Sequence, residues 1–250
     1  MSKGSVLELL RGLEGGNIRI PDFVVIPHEM SIDVIEETAV GIAGSMPGPF
    51  AVRSSARGED GVRDSFAGIF QTELGVSDEQ LMDAICRVRM SLNGDSVHSY
   101  CMARNIPLLT AMDVVVQTMI SADVSGVAFS RHPKGPDSLE LIEAVWGLGE
   151  GLVSGEISPD QIVLLEDGSS LSYVVAHQQV AVELDDSHGT RRTWVSLLMQ
   201  SARKLDDQAL ASVHMALKQI EDVMKRPVEI EFAIKNGQFF LLQARPITSL

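Results

Sequence analysis

The sequence predicts an α+β fold in which helices accompany a largely antiparallel sheet. Apolar residues at helical spacing alternate along the chain with short β-type runs. In the second half such runs follow one another closely, at 114–116, 126–129 and 139–142. The chain then closes on two β-type segments joined by Asn236-Gly237, a turn pair typical of an antiparallel hairpin.

Three segments of the first half have the apolar spacing of helices and end near glycine or proline. Ser31 stands where the second would be capped, and Ser77 or Asp78 stands where the third begins. The predicted helices are residues 6–13, 31–43 and 77–92. Two predicted strands, 23–26 and 50–55, lie between them, and the second continues into a loop of small and charged residues through Gly68.

The second half is predicted to be richer in strands. Beyond the three runs named above, further strands are expected at 162–165, 173–176 and 180–184. An amphipathic helix is expected over 206–224, and the closing hairpin pairs 228–234 with 239–244. This change of character predicts two lobes of one unit, divided into residues 1–110 and 111–250.

Composition excludes several classes of protein. A net charge of −14 and a pI near 4.8 argue against nucleic acid as a partner, because such binding needs clustered cations. No apolar run approaches the length needed to cross a bilayer, so no membrane association is expected. The N-terminus has no secretory pattern, which predicts a cytoplasmic protein. Cys86 and Cys101 stand apart from each other and predict free thiols.

The closing hairpin carries the most informative polar residues. Glu229 and Glu231 are two positions apart, so they should share one face of a strand, with Gln243 and Arg245 on the partner strand. Paired carboxylates in a sheet favour a bound cation, and Mg²⁺ with phosphate oxygens is the usual solution in phosphoryl transfer. Arg245 would then contact phosphate. A solvated strand face with surface ion pairs remains the alternative.

A second candidate is the segment Arg53-Ser54-Ser55, which follows a predicted buried strand and precedes Gly58, Gly61 and Gly68. Hydroxyls, backbone N–H groups and an arginine in a glycine-containing loop are typical of an anion site, although an ordinary polar loop has the same composition. The glycine-rich run 146–151 is weak evidence for a phosphate site, and the chain contains no Walker A motif.

A series of short motifs runs in a fixed order along the chain. It comprises Lys3-Gly4, Ile20-Pro21-Asp22-Phe23-Val24-Val25, Ala51-Val52-Arg53-Ser54-Ser55-Ala56, Glu59-Asp60, Asp64-Ser65-Phe66-Ala67-Gly68, Val116-Gln117-Thr118-Met119, Ser125-Gly126-Val127-Ala128-Phe129-Ser130, Trp146-Gly147-Leu148-Gly149-Glu150, Ser158-Pro159-Asp160 and Leu242-Gln243-Ala244-Arg245-Pro246. Together they cover essentially the whole chain. The series resembles the ATP-binding domain of the phosphoenolpyruvate synthase, pyruvate phosphate dikinase and rifampicin phosphotransferase family.

The resemblance implies an ATP-grasp-like fold, with the nucleotide between an N-terminal lobe at 1–110 and a C-terminal lobe at 111–250. It also implies a role for each matching residue. The positions that bind phosphate are matched by Lys3, Arg53, Ser54, Ser55 and Arg245, of which Arg53 and Arg245 are catalytic. The hinge against which adenine packs is matched by Gln117 and Met119. Glu229 matches a position near ribose or metal, and Glu231 and Gln243 match metal-ligand positions. ATP and Mg²⁺ are the implied cofactors.

The chain departs from the family pattern in two ways. Ser2 stands where the family usually has glycine, and the sequence ends five residues after Arg245, where members continue into phosphohistidine and acceptor-binding domains. No histidine stands in a carrier context; His28, His132 and His214 are predicted to be structural or loop residues. The phosphohistidine and acceptor domains are therefore expected to be absent.

The function implied by the resemblance is that of a dikinase-type phosphotransferase module. It would use Mg-ATP to phosphorylate, or pyrophosphorylate, a carrier histidine on a separate protein or on a missing domain. Two alternatives remain open at this stage. One is a nucleotide-binding regulatory subunit without catalysis, and the other is a free-standing ATP-grasp ligase.

Overall fold

The computed structural model describes residues 1–13, 16–56, 69–185 and 187–247. Within these ranges the α-helices are α1 (Lys3–Leu10), α2 (Ile32–Ser45), α3 (Leu81–Met90), α4 (Asp95–Arg104), α5 (Glu150–Val153) and α6 (Asp207–Met224). The strands are β1 (Phe23–Ile26), β2 (Phe50–Ala56), β3 (Thr72–Val76), β4 (Met112–Thr118), β5 (Val124–Phe129), β6 (Glu140–Trp146), β7 (Asp160–Leu164), β8 (Ser170–Val174), β9 (Val180–Leu184), β10 (Thr190–Trp194), β11 (Val228–Lys235) and β12 (Gln238–Pro246).

Every paired strand in these sheets is antiparallel to its neighbour, which confirms the predicted α+β class. None of the helices in the described part of the chain has both the length and the apolar character needed to cross a bilayer.

The chain folds into two compact units, each assembled from separate stretches of sequence. The first unit contains residues 1–8, 21–119 and 185–189, and the second contains 9–20, 120–184 and 190–250. The main division therefore falls after residue 119, nine residues beyond the predicted boundary at 110/111. The reason is that β4 pairs with both β1 and β2, so it belongs to the sheet of the first unit.

The first unit is built on a four-stranded sheet in the order β1-β4-β2-β3. Helix α3 packs against this sheet because its apolar residues recur at helical spacing. Its buried side chains are Leu81, Ala84, Ile85 and Val88, as the sequence predicts. They join Phe50, Val52, Val114 and Val116 from the sheet in one apolar core.

The second unit is built on a six-stranded sheet in the order β12-β11-β5-β6-β7-β8, with β9 and β10 forming a separate pair. Helix α6 is capped at its N-terminus by Asp206, whose side chain accepts a hydrogen bond from the Ala209 backbone N at 2.8 Å. The helix then packs against β5, β11 and β12 along an apolar stripe. The hairpin that carries the predicted metal ligands is thereby supported by a long amphipathic helix.

The local structure differs from prediction at several points. The first helix begins at Lys3 rather than Val6, and residues 11–13 form a 3₁₀ turn. Ser31 stands at the N-cap of α2 but makes no capping hydrogen bond with its side chain. Elements β3, α4, α5 and β10 have no counterpart among the predicted segments. The predicted glycine stop at residue 15 lies outside the described residues.

Candidate functional site

The hairpin of β11 and β12 has the geometry that its sequence predicts. Asn236 and Gly237 have φ values of 51° and 73°, the positive pair that a tight two-residue hairpin turn requires. The resulting register places Glu229 opposite Arg245 and Glu231 opposite Gln243. The prediction that these four side chains lie on one face of adjacent strands is confirmed, because cross-strand partners project from the same side of a sheet.

Glu229 and Arg245 form an ion pair, with 2.6 Å between Glu229 Oε1 and an Arg245 terminal nitrogen. The two side chains are 16% and 30% exposed, so water screens this pair only partly. The carboxylate therefore fixes the position of a guanidinium whose remaining donors suit a phosphate group. The sequence predicts phosphate as the partner of Arg245, and the structure adds Glu229 as a second partner.

Glu231 and Gln243 provide oxygen donors at the adjacent pair of positions. The register shifts immediately after Glu231, so that Phe232 pairs with Leu241. Such a bulge redirects side chains locally and often lies next to functional sites. A carboxylate beside an amide oxygen is a donor set that suits Mg²⁺, which takes oxygen ligands. The residues present therefore fit the ion that the resemblance implies.

In the first unit, Lys3 and Gly4 lie against the end of β2. The Lys3 ammonium is 3.4 Å from the Ser54 hydroxyl, and the Gly4 backbone N donates to the Ser55 hydroxyl at 2.9 Å. A Cβ on Gly4 would come within 2.9 Å of Val25, so only glycine allows this approach. The structure thus brings together Lys3, Ser54 and Ser55, which the sequence separates by about fifty residues.

Arg53 is half-buried in β2, where it lies opposite Val115 of β4 and Thr72 of β3. Ser54 and Ser55 are each only 1% exposed. The loop that was predicted to follow them, with Gly58, Gly61 and Gly68, lies outside the described residues.

Gln117 and Met119 lie at the end of β4. Gln117 is 1% exposed, and its amide nitrogen has no hydrogen-bond acceptor among the described residues. An unsatisfied buried donor costs about 1–3 kcal/mol, so an acceptor from a ligand or an ordered water is expected there. Met119 has its backbone N bonded to the Pro49 carbonyl at 2.9 Å, and its sulfur lies 2.9 Å from the Gly75 backbone N.

The glycine-rich run has a structural role in the second unit. Gly147 adopts a φ of 80°, and a Cβ there would lie 2.3 Å from the Val182 carbonyl oxygen. The preceding Trp146 is bonded through its backbone N and O to the Gln178 side chain, at 2.9 and 3.0 Å. The positive φ and the close contact with Val182 explain why residue 147 is a glycine, and no role in phosphate binding is needed to explain it.

Asp160, from the Ser158-Pro159-Asp160 motif, is the centre of a buried polar network. Its side chain and that of Lys204 are both fully buried, with 2.7 Å between carboxylate and ammonium. The Tyr173 hydroxyl and the Ala176 backbone N also donate to this carboxylate, at 3.0 and 2.8 Å. Burial raises the pKa of Tyr173 to about 12. The network ties β7 to the segment before α6, which is a structural role.

A cluster in the first unit escaped sequence reasoning. The His28 Nδ1 atom lies 3.2 Å from carboxylate oxygens of both Glu29 and Asp113. The sequence contains a partial indication of this cluster, because His28 follows β1 and Asp113 is the second residue of β4, the strand paired with β1. The sequence alone did not show that those two strands are neighbours.

The described fold resembles that of a solved enzyme. The dinucleotide-forming acetyl-coenzyme A synthetase 1 of Ca. Korarchaeum cryptofilum, solved with coenzyme A, Ca-AMPCP and HgCl⁺, aligns with a TM-score of 0.52. The alignment covers 98% of this chain and 91% of that chain at 11% sequence identity, which shows the fold alone. The chain is thus an α+β protein of the ATP-grasp-like class.

The family follows from the sequence match. The model of the pyruvate phosphate dikinase AMP/ATP-binding domain matches residues 24–250. The chain therefore belongs to this family, as the motif series indicated.

Three relatives are similar in sequence to this chain over most of its length. The chain is 34% identical to the uncharacterized phosphotransferase YvkC of Bacillus subtilis over 80% of its length. It is 31% identical to a probable phosphoenolpyruvate synthase of Methanocaldococcus jannaschii over 90% of its length, and 31% identical to the rifampicin phosphotransferase of Bacillus cereus over 91%. The matched region spans 24%, 19% and 26% of these three relatives.

Proposed function

We propose that this chain binds Mg-ATP and transfers a phosphoryl group from it. The observation that carries this proposal is the cross-strand arrangement of β11 and β12, with Glu231 opposite Gln243 and Glu229 paired with Arg245 at 2.6 Å. Oxygen donors beside an oriented guanidinium are the groups that phosphoryl transfer needs, since its catalysis depends mainly on positioning and charge stabilisation.

Each residue has a distinct role in this proposal. Glu231 and Gln243 hold Mg²⁺, which offsets the charge of the phosphate oxygens when bound. Arg245 binds a phosphate oxygen, and Glu229 keeps its guanidinium in place. The family resemblance also assigns phosphate binding to Lys3 and Arg53, which lie in the first unit. Gln117 donates its buried amide N–H to an acceptor atom near the adenine, where Met119 also packs.

We further propose that the acceptor is a histidine on a carrier domain or carrier protein. The imidazole nitrogen attacks the β-phosphorus of ATP, the bond from that phosphorus to the oxygen bridging it to the α-phosphorus breaks, and AMP leaves with that oxygen. The histidine then carries the former β- and γ-phosphates as a pyrophosphoryl group. The names of the relatives support a phosphotransferase, and their greater length is consistent with additional domains. Such a carrier would then pass the group to a final acceptor.

The test begins with calorimetry of ATP binding with and without Mg²⁺. We expect Mg-dependent binding to the wild-type chain that is weakened in Glu231→Gln and Arg245→Ala. Matched controls are Glu183→Gln, which removes an exposed strand carboxylate, and Arg192→Ala, which removes an exposed ion pair with Glu156. Absence of Mg-dependent binding to folded protein would refute the proposal.

Other outcomes of binding and transfer assays on this chain would identify one of the two alternative functions. Binding of Mg-ATP without transfer to any carrier histidine would identify a regulatory nucleotide-binding subunit. Release of ADP that depends on a carboxylate substrate and an amine would identify a ligase. Transfer to the carrier with release of AMP is the result that supports the proposed function.

A further inference from the structure

We propose a second, separate site in the first unit that binds a divalent transition metal of the Zn²⁺ class. Its ligands are His28, Glu29 and Asp113. Each offers one ligand atom, and the three atoms lie within 4.8 Å of one another. None of these residues belongs to the nucleotide site proposed above.

Two distances in this cluster are close to those between neighbouring ligand atoms of one metal ion. The His28 Nδ1 atom is 3.2 Å from Glu29 Oε2 and 3.2 Å from Asp113 Oδ1. Zinc binds histidine nitrogen and carboxylate oxygen at about 2.0–2.2 Å in tetrahedral sites, which separates neighbouring ligand atoms by roughly 3.4 Å. The three ligand atoms lie within 4.8 Å of one another, so a shift of the exposed Glu29 side chain can bring all three onto one ion.

The cluster also has the charge and free ligand atoms that a cation requires. Two carboxylates face one imidazole, and among the residues that the structure describes no lysine or arginine forms an ion pair with either carboxylate. In the described structure, Asp113 Oδ2 and Glu29 Oε1 make no hydrogen bond. Asp113 Oδ1 accepts the His28 backbone N at 3.0 Å, which fixes that carboxylate before any ion binds.

The backbone around the cluster is held rigidly. Strands β1 and β4 pair with Ile26 opposite Val114, which brings the residues following β1 next to the start of β4. The Arg89 guanidinium donates to the carbonyl oxygens of His28 and Met30, the latter at 2.6 Å. The Arg89 guanidinium is thus directed at backbone carbonyls, and it holds the His28–Met30 segment in place.

A cavity beside the cluster is an independent indication of a ligand site. It has a volume of about 500 Å³, and His28 forms part of its wall. Polar groups of Arg89, Asn93, His98 and Thr110 also line it, between apolar side chains. The cavity gives room for water or a small oxyanion at the open coordination positions of the ion.

The ligand types indicate which metal fits best. Imidazole nitrogen favours Zn²⁺ and similar transition metals over Mg²⁺ and Ca²⁺, which prefer all-oxygen sites. Three protein ligands leave at least one position open in a tetrahedral sphere, which is the arrangement of zinc sites that accept a further ligand. The site differs in this respect from the oxygen-only donors Glu231 and Gln243.

The experiment is calorimetric titration of the full chain with Zn²⁺ in the absence of nucleotide, repeated with Co²⁺ while the visible absorption is recorded. We expect one ion per chain and Co²⁺ bands typical of nitrogen and oxygen ligands. Affinity should fall at least about tenfold in Glu29→Gln and in Asp113→Asn, and further in His28→Ala. His177→Ala, which removes an exposed histidine bonded to Ser201, should bind as the wild type does.

Two further measurements keep the result unambiguous. The Glu29 side chain is 71% exposed, so Glu29→Gln tests the site with little risk to the fold; circular dichroism checks the other variants. Glu231→Gln should leave Zn²⁺ binding unchanged, which separates this site from the nucleotide site. Absence of stoichiometric binding to the wild type, or unchanged affinity in Glu29→Gln, would show that the cluster is only a hydrogen-bonded histidine between two carboxylates.

Discussion

At the residue scale, Glu231 is the side chain whose charge matters most for the proposed reaction. Glu231→Gln keeps its shape and removes its charge, so phosphoryl transfer should fall about 10²-fold or more, equivalent to roughly 3 kcal/mol of transition-state stabilisation. The free energy of unfolding should change by less than about 1 kcal/mol. Kinetics and urea unfolding of this variant and of Glu183→Gln provide the test. Parallel losses of activity and stability would instead indicate a structural carboxylate.

Arg245 and Glu229 should act as one unit, because the carboxylate holds the guanidinium at 2.6 Å. We expect Arg245→Ala to reduce transfer strongly and Glu229→Ala to reduce it less. In the double variant, the loss of Glu229 should add almost nothing to the loss of Arg245. A double-mutant cycle on the transfer rate measures this coupling, and additive effects would contradict the orienting role of Glu229.

The Asp160–Lys204 pair should affect stability more than function. Both side chains are fully buried, so Lys204→Met leaves a carboxylate without its counter-charge and should cost about 3–5 kcal/mol. The matched control is Lys225→Met, because Lys225 and Asp222 form a pair that is 76% and 80% exposed and should contribute less than about 1 kcal/mol. Urea unfolding of both variants compares the two pairs directly; equal effects would contradict the structural role of the network.

At the element scale, β5 depends on the absence of a side chain at Gly126. A Cβ there would lie 2.3 Å from the Glu143 carbonyl oxygen and 2.5 Å from the ring of Phe232, which stacks on Phe239. We expect Gly126→Ala to destabilise the protein by about 1–3 kcal/mol. Gly41→Ala is the control, since it lies in α2 with no atom near its Cβ position and should stabilise by about 0.5–1 kcal/mol. Thermal unfolding of both shows whether the signs are opposite.

The elements that sequence reasoning found are those with a strong local pattern. Helix α3 and the β11–β12 hairpin were predicted because apolar spacing and the Asn-Gly turn are readable without tertiary context. Helix α4 was missed because only Val97 and Cys101 are buried along it, so no apolar stripe marks it. Strand β10 was missed because its sequence is mostly polar and exposed, and its partner β9 supplies the pairing that defines it.

Part of the candidate site could also be predicted, because local sequence patterns encode it. The shared face of the four polar side chains on β11 and β12 follows from a local turn, so the sequence predicts it correctly, whereas the ion pair between Glu229 and Arg245 is found only in the structure. The approach of Lys3 to Ser54 depends on packing between distant segments, and no local signal encodes it. The unsatisfied amide of Gln117 is likewise visible only once the neighbouring strands are in place.

At the scale of the whole molecule, the proposed reaction requires a second macromolecule or domain. The chain mixed with Mg-ATP and pyruvate should release no AMP, because transfer requires donor and acceptor atoms to be held about 3–3.5 Å apart and no acceptor site has been identified in its sequence. Addition of a phosphohistidine-domain protein should start AMP release. The coupled assay is repeated with the carrier histidine replaced, and acceptor phosphorylation by the chain alone would refute the carrier mechanism.

The division of the chain into two units also has an evolutionary consequence. The polypeptide passes from one unit to the other after residues 8, 20, 119, 184 and 189, so neither unit corresponds to a continuous segment. A gene rearrangement that exchanges a continuous segment crossing any of these points would therefore mix ancestors within at least one unit. The two units are expected to be inherited together, and recombination within the family should be tolerated at the ends of this region more often than inside it.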